Sequence, residues 1–154
     1  MKAAPWLAFM LLLSFGTALA ADYFIVPGTR VGNVALGDTV QAVTRKIGVG
    51  KPFRSRDYTN LLYPGFTVVI SNSGKQTVNA VVVTDPPYKL KNGLGIGSTE
   101  QAVFKALGKP TVAQKMGAQT QGMIDKSLNY GKLGLTIALA RSKVVQIAIY
   151  ARKK

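Results

Sequence analysis

Alternating apolar and polar positions dominate the second half of the chain. Leu133, Leu135, Ile137 and Leu139 interleave with Gly134, Thr136 and Ala138, and Val145, Ile147 and Ile149 interleave with Gln146 and Ala148. A period of two is that of a strand with one buried face. Ala140–Lys143 is short enough to join the two runs as a hairpin. The same pattern occurs earlier, where Phe66, Val68 and Ile70 face Val78, Ala80 and Val82 across a turn rich in Asn, Ser and Gly at positions 71–75. Tyr58–Tyr63 and Ser127–Tyr130 predict one preceding strand in each half, and Tyr23–Val26 an extra edge strand. Two segments have helical spacing instead: Val43 and Ile47, and Val103, Ala106 and Leu107.

The two halves are copies of one unit. Residues 36–48, LGDTVQAVTRKIG, align without a gap on residues 96–108, IGSTEQAVFKALG. Identities fall at Gly37/Gly97, Thr39/Thr99, Gln41/Gln101, Ala42/Ala102, Val43/Val103 and Gly48/Gly108, and Lys51-Pro52 matches Lys109-Pro110 after a two-residue insertion, Val49-Gly50. Asp38 and Ser98, each with Gln three residues on, read as helix N-caps in a capping box. Gly48 and Gly108 suit the C-terminal position that wants positive φ, and the prolines prevent the helix from resuming. Helices of about three turns are unstable alone, so their apolar stripes need a surface. The expected fold is therefore α+β: two α-β-β-β repeats, residues 21–88 and 89–154, forming an antiparallel sheet with short helices packed on one face.

Residues 1–20 stand apart from this fold. Lys2, the apolar run Trp6–Phe15 and Ala18-Leu19-Ala20 are the three parts of a secretory signal, with cleavage expected after Ala20 and no membrane-spanning segment thereafter. The leader holds one of the 20 Lys+Arg, so the mature chain carries 19 against 6 Asp+Glu, a formal charge of +13. That excess favours anionic partners. Export disfavours nucleic acid and leaves a protein partner or an anionic envelope component, lipid or glycan.

Composition narrows the chemistry. With no His and no Cys, the usual catalytic relays, thiol chemistry, disulfides and common zinc or haem ligation are excluded, and no cofactor or metal is expected. The acids of the mature chain are Asp22, Asp38, Asp57, Asp85, Glu100 and Asp125; Asp38 and Glu100 are accounted for by helix starts. Gly93–Gly97 lacks the spacing of a phosphate loop. The chain therefore reads as non-enzymatic, with no catalytic residues. Binding residues are sought where cations meet aromatics, at Arg54, Arg56 and Tyr58, and in the Gly/Gln/Met-rich stretch 115–126, which breaks the repeat and offers Lys115, Met116 and Met123 as adaptable contacts.

The helix-start motif, an aliphatic residue followed by Gly, a capping residue, Thr and then x-Gln-Ala-Val, and ending in Gly and Lys-Pro, resembles that of the SmpA/OmlA (BamE) outer-membrane lipoproteins and of the tandem-repeat β-lactamase inhibitory proteins. The resemblance spans 13 to 15 residues in each copy. It implies helices on an antiparallel sheet, and either an envelope-assembly or an inhibitory role. The chain lacks the lipid-bearing Cys of the lipoproteins, and its duplication favours the inhibitor architecture. The expected function is an exported binding protein, an inhibitor or immunity-type factor, with an envelope accessory role as the alternative.

Overall fold

In a computed structural model, which describes residues 22–116 and 123–152, twelve strands and two short helices follow one another along the chain. Strands β1 (Phe24–Val26), β2 (Arg30–Val31) and β3 (Val34–Ala35) precede helix α1 (Val40–Ile47). Strands β4 (Lys51–Arg54), β5 (Tyr58–Tyr63), β6 (Phe66–Ser71), β7 (Val78–Val83) and β8 (Lys89–Leu90) come next, then helix α2 (Glu100–Leu107). The chain ends with β9 (Val112–Lys115), β10 (Lys126–Tyr130), β11 (Leu135–Ala140) and β12 (Lys143–Tyr150), a single 3-10 turn at Gly131–Leu133 lying between β10 and β11.

One sheet has eight strands in the order β4-β5-β6-β7-β12-β11-β10-β9; the other has four, β3-β2-β1-β8. The large sheet is antiparallel throughout, and its two halves meet where β7 pairs with β12, Ile147 opposite Val83 and Ile149 opposite Val81. Alternation puts Phe66, Val68, Ile70, Val81, Val83, Leu135, Ile137, Ile147 and Ile149 on one face, and all are buried. The same core cluster takes Ile25, Val31, Val34 and Leu90 from the small sheet and one fully buried residue from each helix, Val43 and Val103.

The expected α+β class is overturned: strands dominate the molecule. Each helix has eight residues, about two turns, and can cover little of an eight-stranded sheet. The second sheet, of which only β1 was foreseen, supplies much of the cover. Each half also has a fourth strand, β4 or β9, exposed throughout and so without the alternation that would mark it.

The helix caps lie one residue later than the capping-box pattern suggests. Thr39 Oγ1 accepts from Ala42 N and Thr99 Oγ1 from Ala102 N, each at 3.2 Å. Asp38 and Ser98 instead close the preceding turn, accepting from Ala35 N at 2.8 Å and Gly95 N at 3.1 Å. Gly48 and Gly108 do end the helices with φ of 85° and 74°. Their carbonyls accept from Tyr63 Oη and Tyr130 Oη, both at 3.0 Å. The repeated motif is thus used twice in the same structural way.

The two outer strands of the large sheet differ. The register Arg54 opposite Thr59, with Ser55 N donating to Tyr58 O at 2.8 Å, makes Phe53 and Lys51 exchange bonds with β5 and turns the backbone of Pro52 and Arg54 outward. Pro52 thus occupies an outward donor position and has no N–H to offer. In β9, Lys115 opposite Lys126 with Met116 N donating to Asp125 O at 2.9 Å turns Ala113 and Lys115 outward. There the proline, Pro110, precedes the strand and the edge keeps its donors.

Candidate functional site

The face of the large sheet opposite the core is not covered by any described element. Cross-strand register lines its side chains up in rows. The longest runs Lys51, Leu62, Thr67, Val82, Ala148, Thr136, Asn129, Val112 from one edge to the other. Beside it lie Phe53, Asn60, Val69, Ala80 and Tyr150, and on the other flank Gln146, Ala138, Ser127 and Gln114. Lys51, at the very edge, is the one charged side chain in these rows. The central strands carry Ala80, Val82 and Ala148 beside Tyr150, while at the outer edges Phe53 is 63% and Val112 56% exposed. On the second half the face deepens into a cleft of about 640 Å³ lined by Val112, Gln114, Ser127, Asn129, Lys132 and Tyr150 among others. Asn129 Nδ2 donates to Thr136 Oγ1 at 3.3 Å and Tyr150 Oη to Leu135 O at 3.4 Å, so the polar groups of the cleft are held from beneath.

The charge expected to mark a site lies around this face, at the strand ends. Arg54 ends β4 and Arg56 lies in the β4–β5 connection, both exposed; Tyr58 opens β5 and projects with Ser71 on the uncovered face. Lys115 ends β9, Met116 follows it, and Met123 lies beyond residues 117–122, which are outside the described residues. The structure places these two groups at opposite edges of the sheet. Seven strand spacings of ~4.8 Å put about 34 Å between the edges, so the groups do not form one contact region. Arg54 faces the helix side instead, in a cleft of about 560 Å³ with Gln41, Thr44, Thr59 and Asn72. Asn72 sets that connection: its Nδ2 donates to Ser55 O at 2.9 Å and Arg56 O at 3.2 Å, and its Oδ1 accepts from Thr59 Oγ1 at 2.7 Å. Nothing in the spacing of the sequence singles out Asn72, because the groups it joins are brought together only by the β5–β6 pairing.

The acids are mostly tied to structural tasks. Asp38 pairs with Lys46 at 2.7 Å and Glu100 with Lys126 at 2.6 Å. Asp125 accepts from Arg141 N. Asp22 accepts from Phe24 N at 2.9 Å and pairs with Arg30; the backbone N–H first and then the guanidinium hold its carboxyl below the ordinary carboxylate value. Burial raises the phenols of Tyr63, Tyr88 and Tyr130, so they remain neutral hydroxyl donors. Tyr23, Tyr63, Phe66 and Tyr88 form a run of ring contacts at 5.1–5.4 Å beside Pro86 and Pro87, fastening the small sheet to the large one.

No protein-family model matches the chain, and no curated protein matches its sequence. In three dimensions it is similar to an extracellular protein containing an SCP domain from Bacillus anthracis (TM-score 0.52, 13% identity), over 75% of this chain and 44% of that one. It is similar also to a cysteine-rich secretory protein from Staphylococcus aureus (0.50, 16%), over 81% and 48%. The chain thus spans less than half the length of either. A DUF4309-family protein, YjgB, from Bacillus subtilis (0.54, 11%) matches over 81% of this chain and 88% of its own. None of the three is a BamE-type lipoprotein or a β-lactamase inhibitory protein. At these identities the likeness is one of fold. Among the described residues no helix is long and apolar enough to cross a membrane.

Proposed function

We propose that the chain is an exported, non-enzymatic binding protein that docks an acidic protein partner on the uncovered face of the large sheet, acting as an inhibitor or immunity-type factor. The observation that carries this reading is the composition of that face. In a mature chain with 19 cations, the rows across eight strands hold one charge, at the edge, while Tyr58, Tyr150, Phe53 and Leu62 are present. Depletion of charge at the centre with aromatic groups present and a polar rim is the composition of a protein interface. The face measures about 34 Å by 17 Å, or roughly 600 Å² before the rim is added, close to the ~800 Å² that one partner buries in a standard complex. Lys51 at the edge and Lys132 at the rim of the cleft would steer an acidic partner without having to be desolvated. Export rests on the N-terminal leader and agrees with the extracellular and secretory descriptions of two structural neighbours.

The test compares the wild-type chain with Val82→Lys and Ala148→Glu, which put either sign of charge at the centre of the face. Both should lose a partner cross-linked to the wild-type protein in its native extract, and with the wild-type chain the partner's off-rate should hold at 0.5 M salt, so that affinity weakens only as far as the on-rate falls. Retention of the partner by both variants refutes face docking. Binding to anionic vesicles or acidic glycan that collapses with salt would instead select the envelope role.

A further inference from the structure

Among the described residues no strand pairs with the outer edge of β9, and that edge has the properties of a docking site for another strand. Ala113 and Lys115 direct their N–H and C=O groups away from β10, and every residue of the strand is exposed. An edge of this kind is a template for strand addition, and the other end of the same sheet shows the usual protection, with Pro52 standing where a donor would be. The repeat carries a proline in both copies, but Pro110 follows the helix-ending glycine by two residues where Pro52 follows it by four, which leaves Pro110 outside the strand, so the two edges are chemically unequal.

The charge at this edge is also incomplete. Lys115 stands directly opposite Lys126 in a non-hydrogen-bonded pair, where like charges repel across a short Cβ separation. Glu100 Oε1 satisfies Lys126 Nζ at 2.6 Å. Lys115 has no carboxylate within ion-pair distance among the described residues, and Gly117–Gly122, GAQTQG, contains no acid. A strand laid along β9 would place its own residue opposite Lys115 on the other side, and an acid there would relieve the repulsion. A second copy would not, since it would bring another +13 and another Lys115 to the same edge.

We infer that the free edge of β9 takes up an extended acidic segment of a partner protein as a ninth strand, backbone bonded to Ala113 and Lys115 with a carboxylate facing Lys115. The inference concerns the rim of the sheet and stands apart from docking on its face. β-Strand addition draws affinity from the backbone and selectivity from alternate side chains.

The test uses the full mature chain and a fluorescent seven-residue peptide alternating Glu and Val. Its comparison probes are the Lys/Val counterpart and the Glu/Val peptide N-methylated at its Glu residues, which keeps the charge but removes the row of donors that would face Ala113 and Lys115. The acidic peptide should bind at least tenfold more tightly than either, and should slow hydrogen exchange at Ala113 and Lys115 N–H. Ala113→Pro removes only an outward donor, as Pro52 does on the opposite edge, and should weaken binding at least tenfold. Lys115→Glu should transfer preference to the Lys/Val peptide, which keeps the inference testable if Ala113→Pro does not fold. Equal binding of the N-methylated peptide, or unchanged binding by a folded Ala113→Pro chain, overturns it. So does a dimer of the wild-type chain in sedimentation that Ala113→Pro abolishes, since the edge would then belong to a second copy.

Discussion

Replacement of Ile147 by alanine tests whether the two halves are one thermodynamic unit. Ile147 is fully buried on β12, directly opposite Val83 of β7 and Ile137 of β11, so it lies at the seam between the copies and within the cluster that spans both sheets. Removing three carbon groups at ~0.8 kcal/mol each loses about 2.4 kcal/mol of transfer free energy, and the cavity left in a rigid seam raises the cost to about 3–4 kcal/mol. In a domain of this size that corresponds to a fall in Tm of roughly 10–15 °C. Calorimetry on the mature chain is the assay, with urea unfolding followed by far-UV circular dichroism and tyrosine fluorescence. The whole transition should move as one peak and both probes should report the same midpoint. A profile in which one half melts early while the rest keeps its midpoint would refute the shared core. A loss below about 1 kcal/mol would refute the packing at the seam.

The paired tyrosines give a second check: Tyr130→Phe should cost about 1 kcal/mol by removing the bond to Gly108 O, and Tyr63→Phe less, because Tyr130 is the more buried of the two. Urea midpoints decide it, and a larger loss for Tyr63→Phe would contradict the burial argument. Gly134→Ala should be severe, more than ~3 kcal/mol, because φ is +66° and a Cβ would overlap Tyr150 O and come within 2.8 Å of Gly28 Cα, both backbone atoms; soluble expression with an unchanged Tm would show that the β11 entry is misplaced. Asp22 has a folded-state pKa below its unfolded value, so its contribution is present above the ordinary carboxylate range and is lost as pH falls through the lower folded value. The stability gap between wild type and Asp22→Asn should therefore close on acidification below about pH 4, and a gap independent of pH would exclude the Arg30 pairing.

Legibility in the sequence followed the length and regularity of each element. The strands β6, β7, β11 and β12 stand out as alternating runs, and the helices because Thr39, Thr99, Gly48 and Gly108 recur at fixed offsets, but register shifts in β7 and β12 turn Val81, Val83 and Val144 to the core in place of the Ala80, Val82 and Val145 that strict alternation selects. The second sheet does not stand out. Its strands β2, β3 and β8 have two residues each, too few for any period, and they are strands only because Ile25, Val31 and Leu90 are pulled onto the core. In the sequence Lys51–Arg54 has the look of a helix stop followed by basic residues, since a proline inside a strand suits only an edge, and edges are assigned by tertiary pairing. The caps misled by one residue because Asp38 and Thr39 are both capping types, and which one serves depends on where the turn from β3 releases the chain. The residues singled out in the basic and Met-rich segments are exposed. Composition carries no information on strand order, which sets them at opposite edges.

The position of Pro52 has a consequence for stoichiometry. A sheet with two open ends can be extended from either, and extension of one molecule by the next has no natural stop. Of the two outward residues on β4, Pro52 has no donor and Arg54 has one, whereas both outward residues of β9, Ala113 and Lys115, keep theirs, so the two ends are unequal templates. Head-to-tail growth, β9 of one molecule on β4 of the next, would leave a carbonyl without a donor at Pro52, which opposes extension through that end. The duplication that built two similar halves thus did not leave a symmetric object: the proline comes four residues after Gly48 but two after Gly108, so Pro52 falls inside β4 and blunts that edge while Pro110 falls before β9 and leaves its edge receptive.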